Sequence, residues 1–100
     1  MKHKVYSVSV YPPAEQKLAA HVEFLALVSE NAAQNLYEAY EESLNFLETS
    51  PETCPIYLPN PKYRYKLLSG RYRIVFAIDG QIVYVYDIQD CRQDSDKNFV

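Results

Sequence analysis

Basic side chains are concentrated in the second half of this chain, where together they could hold an anion such as a phosphate and stabilise negative charge. Residues 62–92 contain six cations and three aspartates, whereas residues 1–61 contain three lysines and eight glutamates. The six cations are Lys62, Arg64, Lys66, Arg71, Arg73 and Arg92. The formal net charge of −3 therefore conceals an acidic half and a basic half. This division predicts a local anionic partner rather than general affinity for polyanions.

The elements that position these cations begin with a strand and a helix. Residues 6–10 alternate apolar and polar side chains, which predicts a strand that Pro12 and Pro13 end. A proline suits the first turn of the helix that follows. One apolar stripe predicts this first helix from Ala14 onward. It consists of Leu18, Val22, Leu25 and Val28.

A second helix is predicted to begin near Asn31, because Asn31 and Gln34 resemble a capping box. Its apolar positions are Ala33, Leu36, Tyr40, Leu44 and Leu47. Pro51 disfavours a helical conformation at Ser50 and so ends the helix. Since the break near Ser29 is short, the two helices should form an antiparallel hairpin.

Three strands should follow the proline-rich loop 51–62, at residues 63–68, 72–78 and 81–89. The two predicted turns are Ser69-Gly70 and Asp79-Gly80, and the latter is a strong hairpin signal. The expected fold is therefore α+β, with an N-terminal strand, a helix hairpin and a three-stranded antiparallel meander. The helices should pack on one face of the sheet.

Two-residue turns at both positions predict which side chains share a face. Lys66 would lie opposite Arg73, a like-charge pair that costs about 0.2–1 kcal/mol. One face would then carry Arg64, Lys66, Arg73, Val75, Tyr84, Tyr86, Ile88, Asp90 and Arg92. The other, covered by the helices, would carry Tyr65, Leu67, Tyr72, Ile74, Phe76, Ile78, Val83 and Val85.

The first of these faces has two interpretations, and the spacing alone leaves both open. Clustered cations could form an anion site, with Tyr84 and Tyr86 able to stack on bases or anchor a protein. Alternatively, the cations are an ordinary solvated surface that pairs with Asp87 or Asp90 at little net energy. Tyrosines are also favoured on strands by β propensity alone.

Several other classes of protein are disfavoured. Cys54 and Cys91 lie in no motif, and with His3 and His21 they make no metal-binding pattern, so neither a disulfide nor a metal or other cofactor is expected. No apolar run approaches the roughly 20 residues of a membrane span. Serines near the N-terminus interrupt what would be the apolar region of a signal sequence, so none is expected. We expect one cytoplasmic domain over residues 1–100, with a loosely ordered tail at 93–100 and no membrane partner.

The order of elements and two short motifs resemble the RelE/ParE superfamily of toxins from type II toxin–antitoxin systems. The motifs are Gly70-x-Tyr72-Arg73-Ile74-Val75-Phe76 and Arg92-Gln93-Asp94, and the resemblance runs from about Val5 to Asp94. It implies a growth-inhibiting toxin with a cognate antitoxin as partner. RelE-like members are ribosome-dependent mRNA interferases, whereas ParE-like members inhibit DNA gyrase without hydrolysis.

The RelE-like alternative implies catalytic roles for Lys66, Arg73 and Arg92 in stabilising the phosphate that is cleaved. Arg64, Tyr84, Tyr86 and Asp90 would then bind the substrate. Attack by the RNA 2′-hydroxyl also requires a base, for which Lys66 and Asp90 are the candidates. We therefore expect an endoribonuclease acting on ribosome-bound mRNA. The alternatives are a ParE-like gyrase inhibitor and a non-toxic binding module of the same fold.

Overall fold

The structure, a computed structural model that describes residues 5–91, contains a four-stranded sheet and two long helices. The elements in chain order are β1 (Ser7–Val10), α1 (Pro12–Val28), α2 (Glu30–Leu47), a 3-10 turn (Pro51–Thr53), β2 (Arg64–Leu67), β3 (Tyr72–Asp79) and β4 (Ile82–Asp90). The strand order is β1-β4-β3-β2, in which β1 runs parallel to β4 and the remaining pairs are antiparallel. The predicted α+β fold is confirmed.

The helix hairpin has its break at Ser29, which is extended with φ near −160°. The Ser29 hydroxyl accepts a hydrogen bond from the backbone N–H of Ala32 at 3.2 Å. A side-chain oxygen at this position satisfies one of the donors that the first helical turn leaves unpaired. Our prediction that Asn31 caps α2 is therefore wrong, since Asn31 already lies within the helix.

The main core lies between the helices and one face of the sheet, here called the helix side. Both predicted apolar stripes contribute to it. Its fully buried members include Ala14, Leu36, Leu47, Ile74, Phe76, Val83, Val85 and Ile88. Val28, predicted in the first stripe, is instead 77% exposed. Ten residues at 3.6 per turn place it about 80° around the helix from Leu18, which is enough to leave the packed side.

The turn between β2 and β3 is one residue longer than predicted. Leu68 donates its backbone N–H to the carbonyl of Tyr72 at 2.8 Å, so residues 69–71 form the loop, with Gly70 at φ +61°. Lys66 consequently pairs with Ile74, and Leu67 pairs with Arg73. Because side chains alternate with period two, this single residue moves Arg64 and Lys66 to the helix side and Tyr65 and Leu67 to the opposite side.

The pairing of β3 with β4 contains a second departure from the expected register. The turn residues are Gly80 and Gln81 rather than Asp79 and Gly80, a shift that preserves the faces. A bulge at Val75/Phe76 then inserts an extra residue into β4 at Tyr86. Beyond the bulge Ile88 and Asp90 pair with Ile74 and Tyr72 and lie on the helix side, contrary to our prediction.

In the part of the chain that the structure describes, neither α1 nor α2 has the length and hydropathy that crossing a bilayer requires.

Candidate functional site

The sheet face opposite the helix side, here called the open face, carries three of the predicted site residues: Arg73, Tyr84 and Tyr86. Arg73 pairs with Leu67 and Gln89, and Tyr84 pairs with Ala77. Arg64, Lys66 and Asp90 lie on the helix side instead. Arg92, like the predicted tail at 93–100, lies outside the described residues. The structure therefore places the described residues of the predicted site on two different faces of the sheet.

Arg73 is held by an amide and two aromatic rings. Its Nε donates a hydrogen bond to Oε1 of Gln89 at 2.7 Å. The guanidinium carbon lies 5.0 Å from the ring centroid of Tyr57 and 5.4 Å from that of Tyr65, within the range of cation–π attraction. Within residues 5–91, no carboxylate lies at ion-pair distance from Arg73. Its charge is thus positioned without being neutralised by a described acidic group.

Gln89 connects Arg73 to a buried ion pair at the edge of the sheet. Its Nε2 donates to the Tyr57 hydroxyl and to Oδ2 of Asp87, both at 3.1 Å. The other oxygen of Asp87 lies 2.6 Å from Nζ of Lys17, and the Asp87 side chain is fully buried. We call Lys17, Asp87, Gln89 and Arg73 the polar chain, because these contacts link α1 through β4 to the open face.

Four tyrosines form a second feature of the open face, here called the tyrosine cluster: Tyr11, Tyr63, Tyr84 and Tyr86. The ring centroid of Tyr86 lies 4.4 Å from that of Tyr11 and 5.1 Å from that of Tyr63, both in edge-to-face contact. The hydroxyls of Tyr11 and Tyr86 are joined by a hydrogen bond of 3.3 Å. This hydrogen bond, followed by burial, raises the pKa of Tyr86 to about 12. Tyr86 therefore stays protonated at neutral pH and cannot act there as a base.

On the helix side, Arg64 and Lys66 contact the segments beside β2. Nη1 of Arg64 donates to the carbonyl of Cys54 at 2.6 Å, which fastens the proline-rich loop to the strand. Nζ of Lys66 lies 5.3 Å from the ring centroid of Phe46, at the end of α2. Burial raises the pKa of the Cys54 thiol, and these two cations partly offset that effect. Through these contacts Arg64 and Lys66 pack against the proline-rich loop and the end of α2.

Asp90 contributes to the helix side through an ion pair. Its Oδ2 lies 3.4 Å from Nε of Arg71, whose guanidinium carbon is 5.2 Å from the ring centroid of Tyr72. The centroid of the His21 ring lies 4.9 Å from that of Tyr72, and Nε2 of His21 donates to the carbonyl of Ile88 at 3.0 Å. Asp90 is thus turned away from Arg73.

Sequence reasoning did not find Lys17, Tyr57, Asp87 or Gln89 as members of the site. The alternation of Asp87 and Gln89 at the end of an apolar strand was the available signal, since it places two polar groups on one face. Their partners come from α1 and from the proline-rich loop, far away in the chain. The open face as built offers a positioned arginine and clustered phenols, which suits binding better than proton transfer.

Both the sequence and the fold are similar to those of known proteins. Residues 8–95 match the profile of the family described as "ParE toxin of type II toxin-antitoxin system, parDE". A solved structure titled "Chromosomal ParDE TA system from P. aeruginosa" is similar in fold, with a TM-score of 0.72 at 15% sequence identity. The similarity covers 88% of this chain and 98% of that one. Among curated proteins, none matches.

Proposed function

Since this chain belongs to the ParE toxin family of type II toxin–antitoxin systems, we propose that it inhibits DNA gyrase by binding it, without hydrolytic chemistry. The observation that carries this proposal is the separation of Lys66 from Arg73. A phosphate bound at the open face would contact Arg73, whereas Lys66 lies on the far side of the sheet beside Phe46.

Ribonuclease chemistry needs cations around the phosphate together with a base and an acid that can exchange protons with it. Of the described carboxylates near Arg73, Asp87 is engaged by Lys17 and Gln89. Asp90, the other predicted base, pairs with Arg71 on the helix side. The catalytic roles expected for Lys66, Arg73 and Arg92 stay predictions, and this arrangement supports them less well than it supports binding.

The composition of the open face favours a protein as its ligand. Tyrosine and arginine dominate the energetically important positions of protein interfaces, because they supply large contact areas and directed hydrogen bonds. Tyr11, which is 38% exposed, stands at the rim of the tyrosine cluster, and Arg73 lies half-buried beside Tyr57 and Tyr65. A gyrase subunit could pack on these rings and reach the guanidinium group.

Family membership also supports a cognate antitoxin as partner. Action on gyrase would require the toxin to be in the cytoplasm, as predicted from the sequence. The proposed binding involves neither a metal nor an organic cofactor.

The direct experiment adds purified toxin to gyrase and measures ATP-dependent supercoiling of a relaxed plasmid. Inhibition at stoichiometric toxin is expected, and translation in a purified ribosomal system should proceed without cleavage of the message. Normal supercoiling at saturating toxin, together with cut mRNA on ribosomes, would establish the interferase alternative instead. If neither target is affected, the non-toxic binding module is the correct interpretation.

A further inference from the structure

The side chain of Gln89 is fully buried, and only one orientation of its amide satisfies the neighbouring groups. Its Nε2 donates to Oδ2 of Asp87 and to the Tyr57 hydroxyl, while its Oε1 accepts from Nε of Arg73. An ionised carboxylate can only accept hydrogen bonds, and a guanidinium group can only donate them. Turning the amide over would place its oxygen against Asp87 and its nitrogen against Arg73, so both contacts would become unfavourable. The amide oxygen of Gln89 is therefore directed at Arg73.

Contacts behind Gln89 hold this arrangement from the interior. Nζ of Lys17 lies 2.6 Å from Oδ1 of Asp87, whose side chain is fully buried. An ion pair of this kind offsets part of the cost of burying the Asp87 charge. Asp87 in turn fixes the amide of Gln89. The polar chain thus ends at Arg73, with each member placed by the one before it.

Arg73 has donors left over for a ligand. A guanidinium group carries five N–H bonds, of which Gln89 accepts the one at Nε. Among residues 5–91, Nη1 and Nη2 of Arg73 have no hydrogen-bond or ion-pair partner. These two groups form a planar fork that can bind a carboxylate through two parallel hydrogen bonds. An aspartate or glutamate side chain would supply both the acceptors and the compensating charge.

We propose that Gln89 is a positioning residue, which holds Arg73 so that Nη1 and Nη2 receive a carboxylate side chain of the protein bound at the open face. An arginine that a partner must first immobilise loses rotamer freedom, which lowers affinity by about two- to tenfold. Arg73 is already held at Nε and lies beside the rings of Tyr57 and Tyr65, so much of that loss is avoided. The inference rests on the proposed function, because gyrase is the protein to which it applies.

The first measurement follows the Nε–H of Arg73 in the free, full-length toxin by NMR. Its exchange with water should be slow in the wild type and about tenfold faster in Gln89→Leu, which removes the amide at similar size. Gln34→Leu is the matched control, since the Gln34 amide also donates to a carboxylate, that of Glu38 at 3.0 Å, but on the exposed surface of α2. The control should leave the exchange unchanged. Equal exchange rates in the wild type and in folded Gln89→Leu would overturn the inference.

The second measurement is a double-mutant cycle on the affinity for purified gyrase, determined by calorimetry. Gln89→Leu should weaken binding about two- to tenfold, and Gln34→Leu should bind like the wild type. In an Arg73→Ala background Gln89→Leu should have no further effect, because Gln89 acts through Arg73. A residue that only stabilises the fold would cause the same loss in both backgrounds. That result would overturn the inference, as would undiminished binding by Gln89→Leu.

The carboxylate ligand is tested by varying the salt concentration in the same binding assay. Added salt should weaken binding of the wild type more than that of Arg73→Ala, because only the wild type makes the charged contact. Arg73→Lys keeps the charge but lacks the fork, so it should bind more weakly than the wild type. Equal salt dependence of the wild type and Arg73→Ala would rule out a carboxylate as the ligand.

If Gln89→Leu fails to fold, Lys17→Met/Asp87→Leu takes its place, because it removes the acceptor that orients the amide and leaves Gln89 and Arg73 intact. This variant should also speed the Nε–H exchange and weaken binding, and a lack of change in either would overturn the inference. Absence of gyrase binding by the wild type would instead refute the proposed function. The exchange measurement on the free toxin would still decide whether Gln89 positions Arg73.

Discussion

Lys66 and Arg73, although they lie on adjacent antiparallel strands, point to opposite faces of the sheet. Lys66 pairs with Ile74 and contacts the Phe46 ring, whereas Arg73 pairs with Leu67 and bonds to Gln89. The like-charge pair predicted from the sequence, Lys66 opposite Arg73, is therefore absent. Because the two cations lie in different surroundings, substituting one should affect stability and binding differently from substituting the other.

Arg73→Ala should lower the free energy of unfolding by about 1–3 kcal/mol, because the hydrogen bond from Arg73 Nε to buried Gln89 is lost and two rings lose their cation. Urea denaturation measures this. Lys62→Ala is the control, since Lys62 lies 5.2 Å over the Tyr63 ring but is exposed, and its loss should cost less than about 0.5 kcal/mol. An Arg73→Ala protein as stable as the wild type would mean that the contacts of Arg73 with Gln89 and the two rings add nothing to stability.

Asp87→Ala should be more damaging, at about 3 kcal/mol or more, because it takes the carboxylate away from the largely buried Lys17 ammonium. The double variant Lys17→Met/Asp87→Leu replaces both charges with apolar groups of similar size. It should recover much of the loss, since an apolar pair can substitute for a buried ion pair. Thermal unfolding of the single and double variants checks this. Losses that simply add would show that the two residues act independently.

Ser29→Ala should cost about 1 kcal/mol by removing the hydroxyl that accepts from Ala32. Asn31→Ala provides the comparison, because Asn31 is exposed within α2, and its replacement should leave stability nearly unchanged. Thermal denaturation followed by circular dichroism distinguishes the two. A larger loss of stability for Asn31→Ala than for Ser29→Ala would instead indicate that Asn31 caps α2.

High pH should destabilise the protein through Tyr86. Its pKa is raised from 10.0 to about 12 in the folded state, so the unfolded chain releases this proton first. The stabilisation is complete below pH 10 and is lost as pH rises toward 12. Tyr11→Phe removes the hydrogen bond and should flatten this decline. The free energy of unfolding is measured by urea denaturation as a function of pH, and phenolate formation is followed by absorbance. An identical decline in both proteins would rule out the hydrogen bond as its cause.

Short-range patterns were sufficient to predict the elements but not their registers. The apolar stripes in α1 and α2, the prolines and the Asp79-Gly80 signal located both helices and all four strands to within a few residues. The faces of Arg64 and Lys66 depended on one additional loop residue at Arg71, and those of Ile88 and Asp90 depended on one bulged residue at Tyr86. Neither residue alters the local periodicity. Each such residue reverses the face of the sheet on which the neighbouring side chains lie. Correctly located strands therefore still gave a wrong prediction of which side chains share the open face.

The polar chain was beyond sequence reasoning for a different reason. Lys17 lies on a helix, where a lysine off the apolar stripe is normally solvated. It reaches Asp87 because β1 ends at Val10 and leaves the following part of β4 adjacent to α1. Only the packed arrangement of helix and strand creates that contact. Tyr57 joins through a loop whose path the prolines restrict but do not determine.

Inhibition of gyrase through the open face is tested most directly by titrating supercoiling with wild-type toxin, Arg73→Ala and Lys66→Ala, while the same proteins are assayed for mRNA cleavage on ribosomes. We expect that the wild type inhibits supercoiling, that Arg73→Ala does so at least about tenfold less well, and that Lys66→Ala resembles the wild type. No protein should cut mRNA. Ribosomal cleavage by the wild type that both substitutions abolish, with supercoiling unaffected, would contradict this expectation.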